Sequence, residues 1–235
     1  RNLPTTIMPH GGPDARDVVG FDWWAQFLAN RGYAVLQPNY RGSKGYGRKF
    51  TEAGLHQWGR AMQDDISDGV KKLVADGIAD PKRICIVGAS YGGYAALAGA
   101  TFSPELYACA FSFAGVSDLN EFMFTTRSDT GKDSQGTSFW KSRIGSDWED
   151  ADKLKAASPA LHADNVKCPI LLMHGEGDTT VRLNQSQIEY QALKDAGKDV
   201  TFIRVAGEDH YLNFADTRIR MLKELEAFLK KNIGT

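Results

Sequence analysis

A serine at position 90 lies in the pattern Gly-x-Ser-x-Gly, as Gly88-Ala-Ser90-Tyr-Gly92. An apolar run at 83–87 precedes this pattern, and a run rich in small residues at 93–100 follows it. A strand, a tight turn and a helix in that order present a serine hydroxyl at the tip of the turn, where it can attack an acyl carbon. Glycines are needed because side chains at Gly88 and Gly92 would collide with neighbouring backbone. We therefore predict that Ser90 is a nucleophile.

A neutral serine hydroxyl needs a base, and the base needs a group that orients it. With this elbow the order along the chain is Ser, then acid, then His. His210 is the one histidine that follows Ser90 and lies between the last predicted strand and the last predicted helix, so we predict that it is the base. The other histidines precede Ser90 or lie outside that loop: His10, His56, His162 and His174.

The acid is expected on the loop that follows the strand before His210. That loop contains both Glu176 and Asp178. We favour Asp178 because the Gly-x-Gly-Asp turn carries it further out on the loop, and Glu176 remains the competitor. Asp209 adjoins His210, but neighbours in sequence rarely face each other as such partners must, so we interpret it as a solvated turn residue.

Acyl transfer also needs donors for the negative charge that develops on the carbonyl oxygen; losing one typically costs about 3 kcal/mol. One donor is expected to be the backbone N–H of Tyr91, which follows the nucleophile. The second should come from the loop after an earlier strand, and the loop at 9–13 (Pro-His-Gly-Gly-Pro) fits. We assign that donor to Gly12; the alternative is that this loop is a plain turn.

The predicted elements that position these groups are short apolar runs alternating with longer amphipathic stretches, which is typical of a parallel sheet with right-handed crossovers. The predicted fold is α/β: one domain over 1–235, with a mostly parallel, doubly wound sheet and helices on both faces. Catalytic groups then gather at the carboxyl ends of the strands. The predicted strands are 5–8, 34–37, 83–87, 108–113, 170–173 and 200–205. The predicted helices are 21–30, 62–75, 91–101, 184–196 and 213–231, the last with Ile219, Leu222, Leu225, Phe228 and Leu229 on one face.

The segment 117–155 interrupts this alternation. We predict an excursion over the end of the sheet, part helix and part mobile loop, because long connections in compact domains often form lids or substrate walls. A surface insertion without function is the alternative. Its aromatic residues are candidates for lining a substrate pocket: Phe122, Phe124, Phe139 and Trp140.

Composition excludes several other classes of function. The net charge of −1 gives no general attraction to nucleic acid, and no apolar run approaches the roughly 18 residues of a membrane span. No His or Cys lies at ligand spacing near the Asp64-Asp65 pair, so we expect no metal and no cofactor. Cys85, Cys109 and Cys168 lie in apolar runs and favour buried free thiols, hence a cytoplasmic location. A periplasmic or secreted location remains open because the chain begins with Arg1 rather than Met.

Several motifs occur together along nearly the whole chain: the His-Gly-Gly-Pro loop at 10–13, Asn-Tyr-Arg-Gly at 39–42, the elbow, His-Gly-Glu-Gly-Asp at 174–178 and Gly-Glu-Asp-His at 207–210. Together and in this order they resemble the catalytic domain of the prolyl oligopeptidase family, in particular its acylaminoacyl-peptidase and dipeptidyl-peptidase-like branch. The resemblance implies an α/β-hydrolase fold and hydrolysis of short peptides through Ser90, His210 and Asp178, with an apolar side chain before the scissile bond.

Two departures from the family pattern affect this expectation. Family enzymes carry a β-propeller before the hydrolase domain, so the sequence is expected to be an excised catalytic domain or a small relative; a homo-oligomer is also compatible with it. Some relatives place an Arg two residues after the catalytic Asp, whereas Asp178 is followed by Thr179 and Thr180, with Arg182 four residues on. A carboxylesterase with the same residues and a non-catalytic binding module are the alternative functions.

Overall fold

Six parallel strands form one sheet in the computed structural model, which describes residues 1–234. Every neighbouring pair in the sheet is parallel, so within this range the sheet is entirely rather than mostly parallel. The strands, in their spatial order, are β2 (Ala34–Leu36), β1 (Leu3–Ile7), β3 (Ala79–Ala89), β4 (Cys109–Phe113), β5 (Ile170–Gly175) and β6 (Val200–Val205).

Helices connect these strands and cover the sheet. Each predicted helix is present within two residues of its expected start and end, and each predicted strand overlaps an observed one; the α/β fold class is confirmed. The helices are α1 (Trp23–Asn30), α2 (Arg48–Glu52), α3 (Ala61–Ala75), α4 (Tyr91–Phe102), α5 (Leu119–Thr130), α6 (Gln135–Ile144), α7 (Ala151–Ala156), α8 (Asn184–Asp195) and α9 (Ala215–Ile233), with a 3-10 segment at Pro159–Asn165.

The central strand β3 divides the core into two layers. Ile84 and Ile86 pack into the layer that contains α3, α4 and α8, while Cys85 and Val87 pack into the layer that contains α1 and α9. Successive side chains of a strand point to opposite faces, so a strand buried on both faces must be a continuous apolar run. This explains why β3 lacks the alternating pattern of a half-exposed strand.

The buried face of helix α9 differs from the predicted one at Ile219. Its buried face is formed by side chains spaced four apart, at Met221, Leu225, Leu229 and Ile233. Ile219, which the sequence predicts on this face, is 49% exposed. It lies two residues before Met221, and two residues turn a helix by about 200°, so its side chain points away from the core.

The excursion, defined from here on as helices α5 to α7, is mostly helical and lies between β4 and β5. The polar run 128–136, where a mobile loop was expected, instead contains the end of α5 and the start of α6. Gly131, at φ +98°, ends α5, and the Ser134 hydroxyl accepts a hydrogen bond from the Thr137 N–H at 3.0 Å to begin α6. Polar residues predict a loop, but here they cap two consecutive helices.

Candidate active site

The turn between β3 and α4 holds Ser90 in a conformation that few residues other than glycine adopt, with φ +58° and ψ −122°. The Ser90 N–H donates to the carbonyl of Phe113 at 2.9 Å, which ties the turn to β4. A Cβ at Gly88 would lie 2.4 Å from the carbonyl carbon of Gly92, and one at Gly92 would lie 2.1 Å from the carbonyl oxygen of Pro9. The two flanking glycines are therefore required by close backbone contact.

Asp178 and His210 meet across the carboxyl ends of β5 and β6. Nδ1 of His210 lies 2.7 Å from Oδ2 of Asp178, and the other oxygen, Oδ1, accepts the N–H groups of Thr180 and Val181 at 2.8 and 2.9 Å. A carboxylate only accepts, so Nδ1 of His210 carries a proton. In neutral His210 the lone pair is then on Nε2, as a general base requires.

The charge on Asp178 is stabilised although the side chain is buried. Burial alone would raise the pKa of this carboxyl group, but its contacts with His174 and His210 and the N–H of Val181 hold the pKa well below the ordinary value. The competing carboxylates lie elsewhere: Glu176 pairs with Arg204 at 2.9 Å, and Asp209 accepts the N–H of Tyr211.

His174, which the sequence analysis set aside, also approaches Asp178. Its side chain is fully buried, and Nε2 lies 3.2 Å from Oδ2 of Asp178. The remaining histidines lie outside this cluster, since His10 bonds to Ser43 and His162 contacts the carbonyl of Lys155. His174 ends β5 in an apolar run, and nothing in its local sequence signals a partner four residues on.

Ser90 and His210 line one cavity of about 480 Å³. Within residues 1–234, neither the Ser90 hydroxyl nor Nε2 of His210 has a hydrogen-bond partner. Catalytic hydrogen bonds are often loose in free enzymes and tighten when substrate binds. The arrangement leaves both atoms available at the same cavity.

The loop predicted to supply an oxyanion donor lies beside the nucleophile. Gly12 and Tyr91 both line the cavity, as does Gly11, where an added Cβ would lie 3.5 Å from Cβ of Ser90. The N–H groups of Gly12 and Tyr91 have no protein acceptor in the described part of the chain. Unsatisfied donors at a cavity wall can bind a developing oxyanion.

The predicted pocket residues divide into two pairs. Phe122 and Trp140 line the cavity beside Ser90, and their rings are in edge contact with centroids 5.0 Å apart. Phe124 lines a different cavity with Arg127 and is 54% exposed, and Phe139 packs on Trp140 without reaching the cavity wall.

Several lining residues were missed by the sequence analysis. Trp23, Trp24 and Trp58 were not among the predicted pocket residues. The additional apolar wall residues are Trp23, Trp24, Trp58, Phe113, Val116, Val181, Tyr211 and Leu212. Nothing in the sequence near Trp58 distinguishes a residue of a cavity wall from a residue of the core. Arg182 does not line this cavity and instead pairs with Asp129 of α5 at 2.7 Å.

Three further features concern the cysteines, potential metal ligands and helix hydrophobicity of the described residues. All three cysteines are buried and free. No cluster of three or more potential metal ligands occurs in residues 1–234. Among the helices of the same range, none has the length and apolar character needed to cross a membrane.

A parallel sheet with a serine on a strand–turn–helix elbow, and with a carboxylate and a histidine on the loops after later strands, defines the α/β-hydrolase class. Comparison with known proteins narrows the class. A sequence model of the prolyl oligopeptidase family matches residues 19–235, and the chain belongs to this family of serine-type peptidases and hydrolases.

Relatives in sequence and structure agree with this membership. The chain is 36% identical to dipeptidyl aminopeptidase BIII of Pseudoxanthomonas mexicana over 99% of its own length and 34% of the relative's. It is similar to a puromycin-hydrolyzing peptidase of Mycobacterium tuberculosis, with a TM-score of 0.92, 32% identity, and coverage of 100% of this chain and 35% of that one. It also resembles a Pyrococcus horikoshii acylaminoacyl peptidase, with a TM-score of 0.90, 30% identity and coverage of 100% and 38%. The chain thus spans about a third of the length of these relatives.

Proposed function

We propose that this chain carries the catalytic site of a serine peptidase that hydrolyses short peptides or N-blocked aminoacyl amides. Ser90 is the nucleophile, His210 the general base, and Asp178 the acid that orients it. The observation that carries the proposal is the 2.7 Å contact between Nδ1 of His210 and Oδ2 of Asp178, beside a cavity that His210 shares with Ser90. Peptidase activity among relatives favours an amide as substrate.

The proposed reaction proceeds through an acyl-enzyme. The Ser90 hydroxyl attacks the carbonyl carbon while Nε2 of His210 takes its proton. The N–H groups of Tyr91 and Gly12 stabilise the negative charge on the carbonyl oxygen. The imidazolium then protonates the leaving amine as the C–N bond breaks. Water then gives a proton to His210 and attacks the Ser90 ester. As the bond to the Ser90 oxygen breaks, His210 returns that proton to it, which releases the acid and restores the serine hydroxyl.

The composition of the cavity wall supports an apolar side chain before the scissile bond. Trp58, Phe122 and Trp140 face the space beside Ser90, and Val116 and Val181 complete an aromatic and aliphatic surface. Burial of an apolar side chain contributes about 25 cal/mol per Å² of area removed from water. A large apolar residue therefore gains more from this cavity than a small or charged one.

The parent protein is proposed to contain a further domain. The relatives are about three times as long as this chain, and the family resemblance implies a β-propeller that admits only short peptides. Four apolar side chains that lie at, or a few residues along the chain from, cavity-lining residues are exposed and are compatible with such a cover: Val19, Phe21, Tyr211 and Phe214.

A chromogenic amide, a chromogenic ester and a covalent probe for reactive serines test the proposal. Purified protein should hydrolyse an aminoacyl p-nitroanilide with an apolar side chain, and a fluorophosphonate probe should label Ser90. Ser90→Ala should lose both signals while its unfolding transition is retained. Turnover of a p-nitrophenyl ester with no turnover of the anilide would support the carboxylesterase instead. One observation favours that alternative: Arg182 pairs with Asp129, which leaves no arginine at the cavity to hold a peptide carbonyl. If the fluorophosphonate probe does not label Ser90, the non-catalytic binding module would be the supported function.

A further inference from the structure

His174 is a fully buried histidine with three polar contacts and no place in the reaction described above. It is the penultimate residue of β5, four residues before Asp178. Nδ1 lies 2.7 Å from the Ser186 hydroxyl of α8. Nε2 lies 2.8 Å from the carbonyl oxygen of Val181 and 3.2 Å from Oδ2 of Asp178. Every polar position of the ring therefore has a partner.

These partners determine which nitrogen carries the proton. The Val181 carbonyl and the Asp178 carboxylate can only accept, so Nε2 of His174 must be the donor. The Ser186 hydroxyl can donate to Nδ1 at 2.7 Å, so in this tautomer both ring nitrogens have a suitable partner. The two acceptors thus fix the tautomer in which the N–H of His174 points at the turn that contains Asp178 and Val181, and the Ser186 hydroxyl holds the ring at Nδ1.

The same turn contacts the site on both sides. Oδ2 of Asp178 lies 2.7 Å from Nδ1 of His210 and 3.2 Å from Nε2 of His174, so one oxygen lies between two histidines. Oδ1 accepts the N–H groups of Thr180 and Val181. Val181 also lines the cavity beside Ser90. A movement of this turn would change both the orientation of the acid and the cavity wall.

We propose that His174 is a positioning residue, which holds the turn and the carboxylate of Asp178 in the orientation that His210 requires; this rests on the proposed role of Asp178. Two N–H groups on Oδ1 fix one end of the carboxylate, and the N–H of His174 limits where the other end can point. Oriented catalytic groups depend on supporting hydrogen bonds of this kind. His174 itself touches no reacting atom.

The electrostatic effect of His174 has a definite sign. Its N–H donor places partial positive charge beside Oδ2, which competes with His210 for that oxygen. Without the donor, Oδ2 stabilises the protonated form of His210 more strongly. The acid limb of the kcat/KM profile should then move to higher pH, because His210 must be neutral to act as base.

Other charged groups near this cluster are accounted for. Burial raises the pKa of Glu189 on α8 to about 8, so it stays neutral across the acid limb. On the loop after β6, Glu208 binds the N–H groups of Asn213 and Phe214, and Asp209 binds the N–H of Tyr211. Arg182 is held by Asp129. The groups that directly approach the Asp178 carboxylate from packed elements are His174 and His210.

Three variants test the proposal. His174→Phe keeps a planar ring and removes all polar contacts. His174→Gln keeps an amide N–H that can reach the Val181 carbonyl and Asp178. Ser186→Ala removes only the hydroxyl that holds Nδ1 of His174. We expect His174→Phe to lower kcat about tenfold with KM changed less than about threefold, and His174→Gln to recover most of the loss. The acid limb should move upward by about half a pH unit in His174→Phe, with Ser186→Ala between it and wild type.

A nuclear magnetic resonance measurement separates this proposal from the proposed function. The Nδ1 proton of His210, shared with Asp178, should give a low-field resonance in wild type that moves or broadens in His174→Phe and returns in His174→Gln. This readout needs no turnover, so a wild-type protein that cleaves no substrate would overturn the peptidase proposal alone. An unchanged resonance and acid limb in a folded His174→Phe would overturn the positioning role. If His174→Phe does not fold, the same two readouts in Ser186→Ala decide, and unchanged values there would also overturn it.

Discussion

The nucleophile region, defined as the elbow with the loops after β5 and β6, is held in place differently from the excursion. In the nucleophile region backbone lies against backbone, as where Gly92 meets Pro9, and Asp178 is 3% exposed. The excursion buries apolar side chains such as Phe122 and Leu154 in the core, but it is also attached through charged side chains, including Arg143 to Asp14 at 2.5 Å. It also exposes large apolar side chains, with Trp148 at 87%.

The difference separates two tasks of the site. Atoms that exchange a proton must keep their distances within a few tenths of an ångström, and close-packed backbone provides this constraint. A wall that accepts side chains of different shapes needs less constraint, and partly exposed ion pairs contribute only about 0–1 kcal/mol each. The same chemical change should therefore have very different effects in the two regions.

The largest contrast is expected for Asp to Asn changes. Asp178→Asn removes the charge that orients His210 and should lower kcat about 10⁴-fold with the fold intact. Asp147→Asn, which loses only the pair with Arg127 in the excursion, should leave kcat within about twofold. Steady-state hydrolysis of an apolar aminoacyl p-nitroanilide measures both. Near-wild-type turnover of Asp178→Asn would show that another residue is the acid.

A methyl group at the elbow should have the next largest effect. In Gly92→Ala the new Cβ would meet the Pro9 carbonyl oxygen at 2.1 Å, so the turn must shift and displace Ser90. We expect kcat/KM to fall more than about 100-fold and the protein to lose about 3 kcal/mol of stability. Fluorophosphonate labelling rates and urea unfolding measure the two effects. A fully active, stable variant would contradict the packing described for the elbow.

Burial also has a cost on α8, the helix that carries Ser186, where Glu189 is fully buried. Neither carboxyl oxygen has a partner in residues 1–234, and burial raises the pKa from 4.5 to about 8. The unfolded chain releases this proton first, so stability present below pH 4.5 is lost as pH rises toward 8. The loss at pH 7 is about 3 kcal/mol, and Glu189→Gln should remove that part of the pH dependence. Unfolding free energies from pH 5 to 8 measure it; parallel curves for the two proteins would contradict it.

A smaller effect is expected at the cavity wall of the excursion. Trp140→Ala removes a ring that packs against Phe122 and Trp58 and should lower kcat/KM for a large apolar substrate about tenfold. Phe124→Ala, two positions from Phe122 on α5 but lining another cavity, should stay within about twofold of wild type. Comparison of phenylalanyl and alanyl p-nitroanilides isolates the pocket: equal losses on both substrates would point to a general disturbance of the site.

The smallest effect is expected at Gly136, the glycine of the excursion that we compare with Gly92 of the elbow. Gly136 lies in the first turn of α6, and an added Cβ would find its nearest atoms at 3.7–3.8 Å. Gly136→Ala should therefore stabilise the protein by up to about 1 kcal/mol without changing turnover. Thermal unfolding measures this change. Destabilisation comparable to that of Gly92→Ala would mean that the excursion is packed as closely as the elbow.

The cavity wall shows where sequence reasoning stopped. Aromatic residues in the excursion were predicted to line a pocket, but the sequence alone did not separate Phe122 from Phe124. Two positions on a helix differ by about 200°, so the choice depends on how the helix rotates against the sheet. Trp58 was missed because its cavity-facing position arises from contacts with Tyr91 and Trp140, which are distant along the chain.

The sequence by itself determined the order of the six strands and of five of the helices, the elbow at Ser90 and the proposed choice of Asp178 and His210. These features follow from local rules: buried strands are apolar runs, tight turns need glycine, and the acid and base follow the nucleophile in a fixed order. Only the tertiary structure decided which rings surround the cavity and which donors reach Asp178. His174 shows the reason. Its partners lie on the turn that follows β5 and on α8, and these contacts form only when the strand, the turn and the helix pack together.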